Sequence, residues 1–164
     1  MTGAVVNLLQ GVEATAFFTE IRESSWMFPT IETVHVLALV FVIGTIFNVD
    51  LRLLGVHQVS RPFSAIASQL LPWTAGAFAV TALAGLLMFG AKATTYAANV
   101  PFRIKLCAIL LAGLNMFIFH LVSARGQLDW DVGVPPLRAK LAGGFSLILW
   151  IVVVAAGRWV GFTT

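Results

Sequence analysis

Four long apolar runs separated by short polar breaks organise this chain. They cover about 28–50, 70–90, 102–122 and 137–160. At roughly 1.5 Å per residue each is long enough, as a helix, to cross a hydrocarbon core about 30 Å thick. The breaks hold residues that end and start helices: Asp50-Leu-Arg52-Leu-Leu-Gly55, then Arg61-Pro62, which starts a new helix feeding the second run, then a polar loop from Lys92 to Pro101, then Arg125-Gly126 through Pro135-Pro136. Ahead of the runs, residues 4–22 set Val5, Leu8, Leu9, Val12 and Ala16 at helical spacing against Asn7, Gln10, Glu13 and Glu20. That pattern predicts an amphipathic helix lying in the interface, with Phe17, Phe18 and Trp26 at headgroup level; a helix packed on a partner subunit would read the same way. The expectation is an all-α membrane protein: an up-down four-transmembrane-helix bundle with an N-terminal interfacial amphipathic helix. Residues 1–164 form a single domain with both termini on one side, here side A.

Composition sharpens the class. With 59% hydrophobic and 10% charged residues, the chain is too apolar for an ordinary water-soluble domain. Its net charge of +3 comes from ten basic residues scattered over short loops. Without a basic patch there is no nucleic-acid partner to expect, and anionic lipid headgroups are the simpler one. A slight excess of Lys and Arg in the side-B loops leans that side toward the cytoplasm. The single cysteine, Cys107, excludes an internal disulfide and reads as a packing residue. The first apolar run lacks the basic lead and small-residue cleavage site of a signal peptide, so it is expected to stay as an anchor.

The polar residues of the spans fall into two layers. Near side A lie Glu32 and His35 of span one, Met88 of span two, Arg103 and Lys105 of span three and Arg158 of span four. Near side B lie Arg52, His57, His120 and Arg125. Glu32 and His35, three apart, share a helix face, and Glu32, His35 and Lys105 are expected to face the bundle interior, because exposing their charged forms to acyl chains is costly. His35 is the one histidine well inside a span, roughly 10 Å below the side-A boundary, with Lys105 roughly 5 Å below it. Ionisable groups at such depth mark function by default.

A neutral imidazole is an axial ligand for haem iron, so the leading expectation is a haem b held by His35 in an electron-transfer or redox protein. Arg103, Lys105 and Arg158 would meet its propionates, Glu32 would orient a ring or pair with the lysine, and Met88 is the sulfur available as a second ligand. The alternative is a cofactor-free membrane subunit whose Glu32, Lys105 and His35 form a structural or proton-carrying layer. Both leave open a homo-oligomer or a place in a larger membrane complex, and whether the protein is an enzyme. His35 and His120 differ in depth by roughly 15 Å and do not clamp one iron. Glu32-x-x-His35 is only half of a di-iron motif. Asp50 and Arg52 read as a local ion pair at the far interface, and His57 and His120 as hydrated there.

The stretch Trp26-Met-Phe-Pro29-Thr-Ile-Glu32-Thr-Val-His35 resembles the first span of small, uncharacterised bacterial four-helix membrane proteins. The likeness runs on through Asp50-Leu-Arg52-Leu-Leu-Gly55, Leu71-Pro72-Trp73, Phe102-Arg-Ile-Lys105, Gly113 to His120 and Gly157-Arg158. It implies a multi-pass protein of the bacterial inner (cytoplasmic) membrane. More distantly the chain is similar to the oxygen-independent protoporphyrinogen oxidases of the membrane and to copper-resistance membrane proteins. In those oxidases a first-span histidine ligates haem and a third-span lysine is needed, which implies such roles for His35 and Lys105. Arg52 and His57 fall near a similar Arg and His. The chain departs at Val42, where those oxidases carry tryptophan, and in having Glu32.

Overall fold

The computed structural model describes residues 3–163 apart from 126–129, with the backbone alone over 122–125, so the readings on Arg125, Gly126 and Asp129 lie outside the described side chains. Every described element is a helix: α1 (Gly3–Glu13), α2 (Ala16–Glu23), α3 (Met27–Leu54), α4 (Phe63–Ala91), α5 (Ala93–Ala98), α6 (Val100–Arg125) and α7 (Leu137–Thr163). Four of them, α3, α4, α6 and α7, are long and apolar enough to cross a membrane. Their outer faces expose Leu37, Val40, Leu83, Leu86, Leu110, Ile148 and Ile151. Water would penalise such a surface, whereas lipid accepts it, and the helical backbone satisfies its own polar groups. These are the marks of a multi-pass membrane protein.

Local chemistry sets the helix ends. The Ser24 hydroxyl oxygen accepts the Met27 amide at 3.2 Å, and Pro29 sits in the first turn of α3, where its missing N–H costs nothing. Gly55 closes the same helix with φ 75°, its amide donating to the Arg52 carbonyl at 3.1 Å; such left-handed geometry suits glycine. α4 starts at Phe63, directly after Arg61-Pro62 as expected, and a distant residue caps it. Asp131 accepts the Ser64 amide at 2.7 Å and the Ser64 hydroxyl at 2.8 Å, a service that Pro62 cannot perform. Pro72 lies inside α4 without ending it.

The N-terminal region departs from the expected single helix over 4–22. It breaks at Ala14–Thr15 into α1 and α2 because tertiary bonds pull the two halves to different partners. The Glu13 carboxylate accepts the Thr94 amide at 2.8 Å and hydroxyl at 2.9 Å, so the stretch 92–101, read as a loop, contains helix α5. Arg22 donates to the Glu13 and Ala91 carbonyls, both at 3.2 Å. Phe18 lies on Gly90, where a Cβ would overlap its ring.

Among the long helices, α3 packs along α4 and α7, and α6 along α7. The backbones of α4 and α6 hardly meet. Aromatic rings bridge that gap at both ends, Phe89 stacked on Phe102 at 5.5 Å and Phe63 edge-on to Phe119 at 6.0 Å. α7 approaches α3 closely at Gly143, whose absent Cβ would stand 2.8 Å from Leu53 Cβ. Val42, Ala112, Leu149, Trp150 and Val153 fill the middle of the core.

The Ser64 amide first, then its hydroxyl, hold the Asp131 carboxyl below the usual carboxylate range. Such a group stabilises the fold at every pH above its unfolded value, about 4, and the benefit disappears as pH falls through the lower folded value. Asp131→Ala should therefore lower stability by about 1 kcal/mol at neutral pH, as lost helix caps do. Thermal unfolding in detergent should show the gap between variant and parent closing below about pH 4; a gap independent of pH would contradict the capping role.

Candidate functional site

His35 and Lys105, distant in sequence, meet between the long helices. The imidazole Nδ1 lies 2.8 Å from the Thr81 carbonyl of α4. A carbonyl only accepts, so Nδ1 carries the proton and Nε2 keeps its lone pair. Lys105 Nζ, from α6, stands 3.4 Å from Nε2. An ammonium only donates, so the contact is a charge-assisted hydrogen bond from lysine to imidazole.

Two glycines make the arrangement possible. A Cβ at Gly85 of α4 would lie 3.2 Å from His35 Cε1, and one at Gly157 of α7 would lie 3.3 Å from Lys105 Nζ. Each of the four long helices thus contributes: α3 the imidazole, α6 the ammonium, α4 and α7 the glycines that let them fit. Thr81 is buried, and its hydroxyl has no hydrogen-bond partner among the described residues.

The other predicted residues do not join this pair. Glu32 is on the surface of α3, a correction to its expected place among the interior residues. It lies within two turns of the helix start, where a carboxylate reaches headgroup water at less cost than burial. Its charge, after burial, helps push the Tyr96 phenol up, which keeps it neutral. Among the described residues no carboxylate lies within 4 Å of Lys105, and the one ion pair joins Arg22 and Glu23 at 3.9 Å. Arg103 is exposed and donates to the Ala98 carbonyl at 3.4 Å. Arg158 is exposed over the Phe162 ring at 4.5 Å, and Met88 is half-buried in α4. His57 contacts Gln58 at 2.9 Å, and the exposed His120 donates from Nδ1 to the Met116 carbonyl at 2.9 Å. Among the described residues no three His, Cys, Asp or Glu side chains converge as metal ligands.

At the other end of α3 the expected Asp50–Arg52 ion pair is absent. Residues two apart on a helix point to nearly opposite sides, so the pair could not form. Arg52 is fully buried. Its guanidinium donates to the carbonyls of Arg61 at 3.1 Å, Asp131 at 3.0 Å and Gly133 at 3.4 Å, and lies 5.6 Å from the Trp130 ring centre. Asp50 is also buried, and its Oδ2 has no partner among the described residues. The i, i+2 spacing was the signal that should have separated these two residues. Nothing in one sequence pointed to Thr81, Gly85 or Gly157 as the other parts of the His35 site.

No curated protein and no solved structure matches the chain. A sequence model of a family of unknown function, DUF6644, matches residues 15–163. That stretch takes in all four long helices, His35, Lys105 and both glycines, and the chain belongs to this family.

Proposed function

We propose that this is a cofactor-free membrane subunit whose His35–Lys105 pair takes up and passes on a proton inside the bilayer. It sits in the bacterial inner membrane with its four spans in up-down order and the α1–α2 pair in the interface. The observation that carries this reading is the 3.4 Å approach of Lys105 Nζ to His35 Nε2. One proton lies between two bases. When it moves along that bond, the ammonium becomes a neutral amine and the imidazole an imidazolium, and the pair keeps a single positive charge. Nδ1–H stays on the Thr81 carbonyl throughout, so the ring need not turn. Glu32, one turn nearer the start of α3, and the Thr81 hydroxyl, without a partner among the described residues, are the polar groups on the neighbouring turns that can relay the proton.

Haem stands as the second reading. A histidine whose Nδ1–H is fixed by a backbone carbonyl is oriented as metal-ligating histidines are, and His35 and Lys105 occupy the positions matching the membrane oxidases. As arranged, however, the residues do not fit the macrocycle. Nε2, the atom that iron takes, is engaged by Lys105, and the Arg103 and Arg158 side chains contact Ala98 and Phe162 instead.

Two measurements separate the readings. In vesicles loaded with a pH-sensitive dye and driven by a potassium diffusion potential, the protein should conduct protons above the empty-vesicle rate. Lys105→Met and His35→Ala should each reduce that excess about a hundredfold, the usual scale for removing an acid–base group; an unchanged rate in either variant would rule out proton transfer through the pair. In the second, the purified protein should show no Soret band. A band that survives His120→Ala and is lost in His35→Ala would put haem in first place.

A further inference from the structure

The gap between α4 and α6 encloses a cavity of about 480 Å³ near the C-terminal end of α3. By helical rise it lies roughly 20 Å from His35, so it is independent of the proton-sharing pair. Five aromatic rings, Phe63, Phe78, Phe117, Phe119 and Trp150, contribute to its walls. Phe78 and Phe117 also belong to the outer surface, so the cavity reaches the lipid side of the protein between the two helices.

Most of the polar lining is already satisfied. Thr74 donates to the Thr45 hydroxyl at 2.8 Å, Asn115 to the Ala142 carbonyl at 3.0 Å, and His120 to the Met116 carbonyl at 2.9 Å. Asp50 alone among the lining residues carries a fully buried polar atom without a partner in the described residues. It is 3% exposed and lines the cavity, and among the described residues its Oδ2 has no partner. A buried carboxyl oxygen without a partner is costly and requires an explanation.

We propose that this cavity binds a lipid-soluble ring alcohol, of the phenol or hydroquinone class, which enters from the bilayer between α4 and α6. Its hydroxyl meets Asp50 Oδ2, its ring packs among the aromatic walls, and its apolar tail leads back into lipid. A hydroxyl satisfies the carboxyl in either protonation state, since it donates to a carboxylate and accepts from a carboxylic acid. A cationic head would have to cross hydrocarbon to arrive, which a neutral hydroxyl does far more readily. The aromatic lining favours a flat ring over an acyl chain, and the volume falls within the ordinary range of small-molecule sites.

The test uses the full chain in lipid nanodiscs, titrated calorimetrically with decylhydroquinone and with its dimethyl ether, against empty nanodiscs. The hydroquinone should bind saturably at one site, and the ether about tenfold or more weakly. Asp50→Asn, which keeps both an acceptor and a donor, should stay close to the parent, while Asp50→Leu should lose about tenfold or more. Gly113→Trp guards against misfolding of the leucine variant. A Cβ there meets nothing within 4 Å, and the indole would obstruct the lining of the cavity. It should abolish binding. His35→Ala should leave binding unchanged, which keeps this result distinct from failure of the proton-transfer reading. Equal binding of the ether, retained binding in both Asp50→Leu and Gly113→Trp, or no saturable binding beyond partition would overturn the proposal.

Discussion

A charge buried inside a protein has to be answered by the protein itself, because no water reaches it. Arg52 shows how much structure one such charge organises. Fully buried, it takes its partners from backbone carbonyls of Arg61, Asp131 and Gly133 and draws the end of α3, the α3–α4 connection and the segment before α7 onto one side chain. The same segment then presents Asp131 to cap α4. Five donors in a rigid fork allow arginine this role where lysine, with a compact ammonium, could not hold three segments at once.

Lys105 is answered differently. Its nearest polar partner is a neutral imidazole rather than a carboxylate, and the two glycines beside the pair show how closely the helices must pack to bring it together. A carboxylate would fix the charge on lysine. An imidazole offers it a second place to reside, and that difference makes the pair suited to proton exchange rather than to static neutralisation. Asp50 is a third case, buried with its Oδ2 unanswered among the described residues, against a cavity open to lipid.

What the sequence disclosed follows from what periodicity and length can carry. Apolar runs of membrane-spanning length are local, so the four long helices could be read directly, and counting along them set His35 and Lys105 in one layer, where the two side chains meet. The break at Ala14–Thr15 could not be read, because it depends on Glu13 reaching Thr94 and Arg22 reaching Ala91. The start of α4 could be read from Arg61-Pro62, but the cap that Asp131 supplies from a remote part of the sequence could not. Glu32 was expected to face inward because a charge exposed to acyl chains is costly, yet so near the start of α3 it stands on the surface. The Asp50–Arg52 pairing failed for a reason that was available beforehand, the near-opposite direction of side chains two apart.

The central claim is that His35 and Lys105 share a proton, and the position of that proton can be observed directly. Nitrogen-15 NMR of histidine-labelled protein in lipid, with the His35 signals assigned by their loss in His35→Ala, reports the state of each ring nitrogen. The shared-proton pair predicts a protonated Nδ1 and an Nε2 resonance shifted by the lysine hydrogen bond, with that shift abolished in Lys105→Met. An Nε2-protonated neutral ring, or an Nε2 signal indifferent to Lys105→Met, would contradict it.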